Sequence, residues 1–190
     1  MADAAEMLAE LAEEVSVCQR CDLWRGRTQT VFGEGPPTAE IMFIGEGPGE
    51  QEDRPGRPFV GAAGQVLSQL LAHAGLSRSE VYIANLVKCR PPQNREPRPE
   101  EVASCRPYLE AQIALLNPKI ICLLGRPATQ AMLWPTASIS KVHGVPQERE
   151  GLLYLPLYHP AAALHQAKLQ PVLVADMQRL RELLERRCDS

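Results

Sequence analysis

The sequence predicts an α/β fold, a three-layer α/β/α domain in which helices cover both faces of a central four-stranded parallel sheet. Three observations predict it. Four apolar runs, each five to seven residues long and bounded by glycine, proline or polar residues, read as buried strands. The segments around them carry apolar residues at helical spacing. Three of the runs end in unusual loop residues, as expected where a parallel sheet presents its strand ends to a ligand.

The elements follow in order. Residues 3–16 place Met7, Leu8, Leu11, Ala12 and Val15 on one face, an amphipathic opening helix, and Cys18-Gln19-Arg20-Cys21 follows. Glu40-Ile41-Met42-Phe43-Ile44-Gly45 is the first strand, and the glycine- and proline-rich stretch from Gly45 to Gly64 reads as a long functional loop. Val66, Leu67, Leu70, Leu71 and Ala74 define a helix from Gly64 that stops at Gly75. Val81–Asn85 is the second strand, and a loop rich in proline and arginine runs from Lys88 to Pro99. Pro99-Glu100-Glu101 opens a helix to Leu116, with proline in the first turn and acids at the positive end of the dipole. Lys119–Gly125 is the third strand, Pro127–Leu133 a short helix, and Leu152–Leu157 the fourth strand, running into Tyr158-His159-Pro160. Pro171–Arg187 is the last helix. Gly45–Glu46, Asn85 and His159 all stand at strand carboxyl ends, so they should converge on one edge.

Residues 1–190 read as a single domain, without repeat or low-complexity linker. No run approaches the ~20 apolar residues that span a bilayer. The start, Met1-Ala2-Asp3-Ala4-Ala5-Glu6, lacks the features of a signal peptide, so a cytoplasmic location and no membrane partner are expected. At a net charge of −3, any contact with nucleic acid must come from a local basic surface. Six cysteines in such a chain point to metal or reactive roles rather than disulfides. Cys18 and Cys21 form a close pair, and fifteen residues separate Cys89 from Cys105. Four thiolates suit a [4Fe–4S] cluster or structural zinc, and spacing alone leaves both open, together with unrelated buried thiols. Cys122, inside a strand, reads as a core thiol, and Cys188, in a charged tail, as a free one.

Several residues at the predicted edge can do chemistry. Gly45-Glu46-Gly47-Pro48-Gly49-Glu50-Gln51-Glu52-Asp53 follows a strand and can bring backbone N–H groups close to a ligand. It is neither a P-loop nor a dinucleotide fingerprint. Phe59 sits in a loop, where an aromatic ring plugs the core or stacks on a ligand. The Asn85 amide can pair with a donor and an acceptor on one base edge, or cap a turn. His159 can donate to a developing anion, or be structural.

Together these segments resemble the family 4 uracil-DNA glycosylases over nearly the whole chain. The resemblance is carried by Cys18-x-x-Cys21, Gly45-Glu46-Gly47-Pro48-Gly49-Glu50-x-Glu52-Asp53, Gly56-Arg57-Pro58-Phe59-Val60-Gly61, Asn85-x-x-Lys88-Cys89-Arg90-Pro91-Pro92, Cys105 and His159-Pro160. It implies a [4Fe–4S] cluster on Cys18, Cys21, Cys89 and Cys105, in a subregion formed by 18–21 and 89–105. It implies a pocket in which Glu46 and Gly47 contact uracil through backbone, Phe59 stacks on the flipped base, Asn85 reads its Watson–Crick edge, His159 bonds O2 and Glu52 closes the space near C5. Asn85, His159 and Glu46 are then the catalytic candidates. The expected activity is monofunctional: flipping of uracil from single- or double-stranded DNA and hydrolysis of its glycosidic bond, by a monomer, leaving an abasic site. Where the best-known uracil glycosylases carry an aspartate, Gly47 stands, so the resemblance names no general base.

For DNA contact, Lys88, Arg90, Arg95, Arg98 and Arg106 cluster around the later cysteines, interleaved with Glu96, Glu100 and Glu101. Ser138–Gly144, with Lys141 and His143, resembles another DNA-facing loop of the family, and Leu164 is the candidate wedge for the gap left by the flipped base. Two alternatives remain. A uracil-crosslinking relative carries a basic, histidine-containing insertion that Arg90–Ser104 lacks. A non-catalytic DNA-binding or redox-sensing iron–sulfur protein would keep the cysteines without needing Phe59, Asn85 and His159 together.

Overall fold

The computed structural model describes residues 3–188, the last two by backbone alone, so the reading of Cys188 as a free thiol lies outside the described side chains. Five strands form one sheet: β1 (Ile41–Gly45), β2 (Tyr82–Asn85), β3 (Ile120–Leu124), β4 (Gln147–Arg149) and β5 (Leu152–Leu157), in the order β2-β1-β3-β5-β4. The four expected strands are parallel to one another, and β4 pairs antiparallel with β5 at the edge. The four-stranded expectation is corrected by this fifth strand. Its residues, Gln147-Glu148-Arg149, carry no apolar alternation, because an exposed edge strand buries neither face. Glu150 and Gly151, at φ 52° and 79°, turn the chain back into β5, the left-handed pair that a two-residue hairpin requires.

The helices are α1 (Ala4–Ser16), α2 (Glu50–Asp53), α3 (Ala62–His73), α4 (Pro99–Leu116), α5 (Arg126–Met132), α6 (Ile139–Val142), α7 (Pro160–His165) and α8 (Gln170–Cys188). The helices read from periodicity are present within two residues of their expected ends. The short α2, α6 and α7 were not legible, since four to six residues are too few to show a helical period. Asp3 starts α1 through a reciprocal capping box with Glu6. Among the described residues, no helix is long and apolar enough to cross a membrane.

Alternation along β1 sends Ile41 and Phe43 to one face and Met42 and Ile44 to the other. The first face packs against Leu67, Leu70 and Leu71 of α3 and Leu173, Met177 and Leu180 of α8. The second packs against Leu109 and Leu116 of α4 and Met132 of α5. Burial on both faces explains why the parallel strands are continuously apolar. A smaller third core joins Val15 and Tyr108 to the cysteine segments.

Candidate active site

The parallel strands share one polarity, so their carboxyl ends meet. Glu46, Gly47, Glu52, Phe59, Asn85 and His159 all line one cavity of about 430 Å³ at that edge. A larger depression of about 910 Å³ lies at the opposite end of the sheet. There Arg181 pairs with Glu185 and Glu80 is taken by Ser77, so its charges are already satisfied.

Asn85 is the last residue of β2 and is 2 % exposed. Its Oδ1 is the one buried side-chain polar atom without a partner among the described residues. Such an orphan is costly in a folded protein and marks a place where a ligand donor belongs. Gly45 of β1 stands directly opposite in the ladder. A Cβ there would come within 2.5 Å of Asn85 Oδ1 and 2.8 Å of Phe59 Cζ, so glycine is what lets amide and ring occupy the same corner.

His159 caps α7: the Ala161 N–H donates to its Nδ1 at 3.1 Å. Nδ1 being an acceptor, a neutral ring must carry its proton on Nε2. Burial drives the His159 pKa down to about 4, with Glu52 opposing, so the ring is neutral at ordinary pH and offers Nε2–H as a donor. Its ring lies 5.6 Å from that of Phe59, at 28°.

The two pocket carboxylates differ. Glu52 Oε1 accepts from the N–H groups of Val60 and Gly61, and Oε2 from that of Gly49. It therefore clasps the two glycine-rich loops together rather than standing free. Glu46 accepts no such bonds among the described residues; burial, with Glu96 nearby, holds its carboxyl above the usual range against the pull of Arg126. Gly47 packs closely under Val87, whose Cγ2 would lie 2.9 Å from an added Cβ.

The four predicted cysteines come together from three segments around the third core, Cys89 and Cys105 buried and Cys18 and Cys21 half-buried. All are free thiols, as is buried Cys122, which lies apart in the sheet. Burial raises Cys89 and pushes Cys105 up to about 11. Arg27 donates to Cys89 Sγ at 3.3 Å and to the Cys18 carbonyl at 2.7 Å, fastening two of the segments. Among the described residues no group of three or more His, Cys, Asp or Glu side chains is set to hold a single metal ion. The donor set fits a polynuclear iron–sulfur group in its chemistry: four soft sulfur ligands, weakly acidic as thiols, that a metal would hold as thiolates.

The expected DNA contacts are distributed differently. Lys88 is 1 % exposed, its ammonium donating to the Asn85 carbonyl at 3.1 Å and to Gln112 Oε1 at 2.5 Å, so it cannot reach a phosphate. Arg95 forms a two-pronged pair with buried Glu101, and Arg106 pairs with Glu110. Arg90 donates to Asn94 Oδ1 at 2.8 Å and faces Glu50 at 3.6 Å. Lys141 is exposed on α6; His143 is held by Asp176 at 2.8 Å and packs on Tyr158. Leu164, on α7, is half exposed, an apolar side chain left in solvent five residues after His159.

Asn94, Ala63 and Ala161 also line the cavity and were missed in the sequence, and Pro91 and Arg95, read there as part of a motif and as a DNA contact, line it too. A signal for Asn94 existed: it follows two prolines and Gln93, and both Gln93 and Asn94 adopt left-handed backbone, at φ 56° and 55°.

The sequence pattern of the uracil DNA glycosylase superfamily matches residues 32–181. The chain is 47% identical over 188 residues to a type-4 uracil-DNA glycosylase of Sulfurisphaera tokodaii, covering 94% of this chain and 85% of that protein. It is 42% identical to the type-4 enzyme of Archaeoglobus fulgidus, covering 94% of each chain. A type-5 uracil-DNA glycosylase of Thermus thermophilus is 35% identical over 62% of this chain and 66% of its own length.

Proposed function

The chain belongs to the uracil DNA glycosylase superfamily and, within it, to the type-4 enzymes; it is a uracil-DNA glycosylase of DNA repair, and we propose that it excises uracil through the cavity at the strand ends, releasing the base and leaving an abasic site. The observation that carries this reading is the orphaned acceptor Asn85 Oδ1 in a cavity that also presents the Nε2–H of a neutral histidine as a donor.

A base inside the duplex cannot enter this cavity, so the uracil nucleotide is extruded first. Phe59 then supports the ring by stacking. Asn85 Oδ1 accepts from N3–H while its Nδ2 donates to O4, which matches uracil and rejects the reversed pattern of cytosine. His159 Nε2–H donates to O2. As the bond from N1 to the sugar lengthens, the base gains negative charge and the sugar becomes cation-like. Fixed donors aimed at the base stabilise that charge, each worth about 2.7–4 kcal/mol in comparable sites. A neutral histidine suffices, because it stabilises the anion without transferring its proton.

Glu52 is engaged by three backbone N–H groups, which makes Glu46 the better-placed pocket carboxylate to hold the attacking water or face the cation-like sugar. Cys18, Cys21, Cys89 and Cys105 are assigned to a [4Fe–4S] cluster. Bound there, such a group supplies a cross-link between three chain segments. Lys88 connects this region to the pocket by holding the Asn85 carbonyl. Lys141, His143 and Leu164 are assigned to the DNA strand beside the pocket.

The test is direct. The protein is incubated with single- and double-stranded oligonucleotides bearing one uracil, and abasic sites are cut with alkali. Cleavage at the uracil is expected with intact strands before alkali, and no release from either substrate overturns the reading.

A further inference from the structure

Phe59 is the ring assigned to the base, and its backbone is in an unusual state. It lies at φ 51°, in the left-handed region that bulky side chains avoid. A residue stays there only when its surroundings over-determine it. One holder is Glu52, which takes the N–H groups of Val60 and Gly61 from the pocket side.

The other is Arg78, in the short 3-10 turn Arg78–Glu80 that precedes β2. It stands at the opposite end of β2 from Asn85 and belongs to none of the motifs that mark the pocket. Its Nη1 donates to the Phe59 carbonyl at 2.6 Å, and its Nη2 donates to the Pro58 carbonyl. A planar guanidinium can hold two successive carbonyls in a fixed relation, which a lysine ammonium cannot. Gly64 of α3 makes room for this geometry, since a Cβ there would lie 1.8 Å from the Phe59 carbonyl oxygen.

The fork has its own counter-charge. Glu34 faces Arg78 Nε at 3.4 Å and binds Arg57 through two hydrogen bonds of 2.6 and 2.9 Å. Arg57 and Arg78 hold the Glu34 carboxyl below the usual carboxylate range. Glu34 is in turn anchored to β2 by a backbone bridge with Ile83. The chain from Arg57 to Phe59 is thus tied to the frame of β2, the strand that carries Asn85.

We propose that Arg78 is a positioning residue that holds Phe59 in its left-handed conformation, so that the ring is preset as the platform for the flipped uracil beside Asn85. This rests on the glycosylase reading of the pocket. Arg78 lies outside the lining of the cavity and acts on the ring through the Pro58–Phe59 backbone, and that defines its test.

The experiment is a double-mutant cycle on the full-length, cluster-loaded protein, read by single-turnover uracil release. Arg78→Met in the wild-type background should slow release by between about tenfold and a hundredfold, the scale expected when a positioned group is displaced. In the Phe59→Leu background the same change should cost less than about twofold, because the ring it positions is gone. Arg78→Lys keeps the charge but not the fork. It should be slowed in the wild-type background, again with little effect after Phe59→Leu, and it serves where Arg78→Met does not fold. A full-rate Arg78→Met, or a loss of equal size in both backgrounds, overturns the proposal and leaves the glycosylase reading standing. No release by the unaltered protein overturns both.

Discussion

Asn85→Ala separates recognition from folding. In the free protein the Asn85 Oδ1 is buried without a partner, an arrangement that costs about 1–3 kcal/mol. Removing the amide relieves that cost and sacrifices some packing at the wall of an open cavity. The two effects oppose each other, so the thermal midpoint should shift by no more than about 2–4 °C, the scale of 1 kcal/mol in a domain of this size. The bound transition state loses a fixed donor, about 2.7–4 kcal/mol, or a hundredfold to a thousandfold in rate. Single-turnover uracil release, a melting curve and iron content on the same preparation check all of this. Asn85→Asp should do no better than alanine, since it keeps the shape but sets a carboxylate against a base that is becoming an anion. A rate within about threefold of the unaltered protein would refute the pocket assignment. So would a loss of activity matched by collapse of the fold, which would make Asn85 a structural residue.

His159 sets the acid limb of the reaction. Its pKa of about 4 lies below its ordinary 6.5, so the rate should hold from neutral pH down through 6.5 and fall only towards 4. Between those values the unfolded chain binds the proton more readily, so this residue's contribution to stability is lost as pH falls and is unaffected above 6.5. Glu46, Glu52 and Arg95 face the same cavity, and any limb they cause will persist in His159→Gln. A wild-type midpoint near 6.5 that vanishes in that variant would contradict a neutral ring. Gly45→Ala would drive a Cβ to 2.5 Å from Asn85 Oδ1, so release should slow by about tenfold or more, read by single-turnover kinetics; full activity would speak against the shared corner. Cys89→Ala should lose iron and the broad visible absorbance of the anaerobically purified protein, whereas Cys122→Ala should keep both. Equal iron in the two variants would refute the ligand assignment.

Much of the site was legible because it follows from strand polarity. Parallel strands read from apolar runs must present their carboxyl ends together, so Gly45–Glu46, Asn85 and His159 could be brought to one edge without coordinates. The strand β4 was not legible, since an exposed strand of three polar residues carries no periodic record of burial. Lys88 was misjudged because a lysine beside arginines reads as surface, whereas it lies buried against Gln112 and the Asn85 carbonyl.

The sequence by itself determined the layered α/β class, the helices longer than two turns and the residue types from which the pocket is made. Only the tertiary structure decided that Asn85 Oδ1 is left without a partner, that Glu52 is engaged by three N–H groups and that His159 carries its proton on Nε2. Periodicity records which face of one segment is buried. A hydrogen bond depends on where two distant segments are brought within 3 Å of each other, and the twenty-two residues between Glu34 and Arg57, or the eighteen between Phe59 and Arg78, leave no local trace of that meeting.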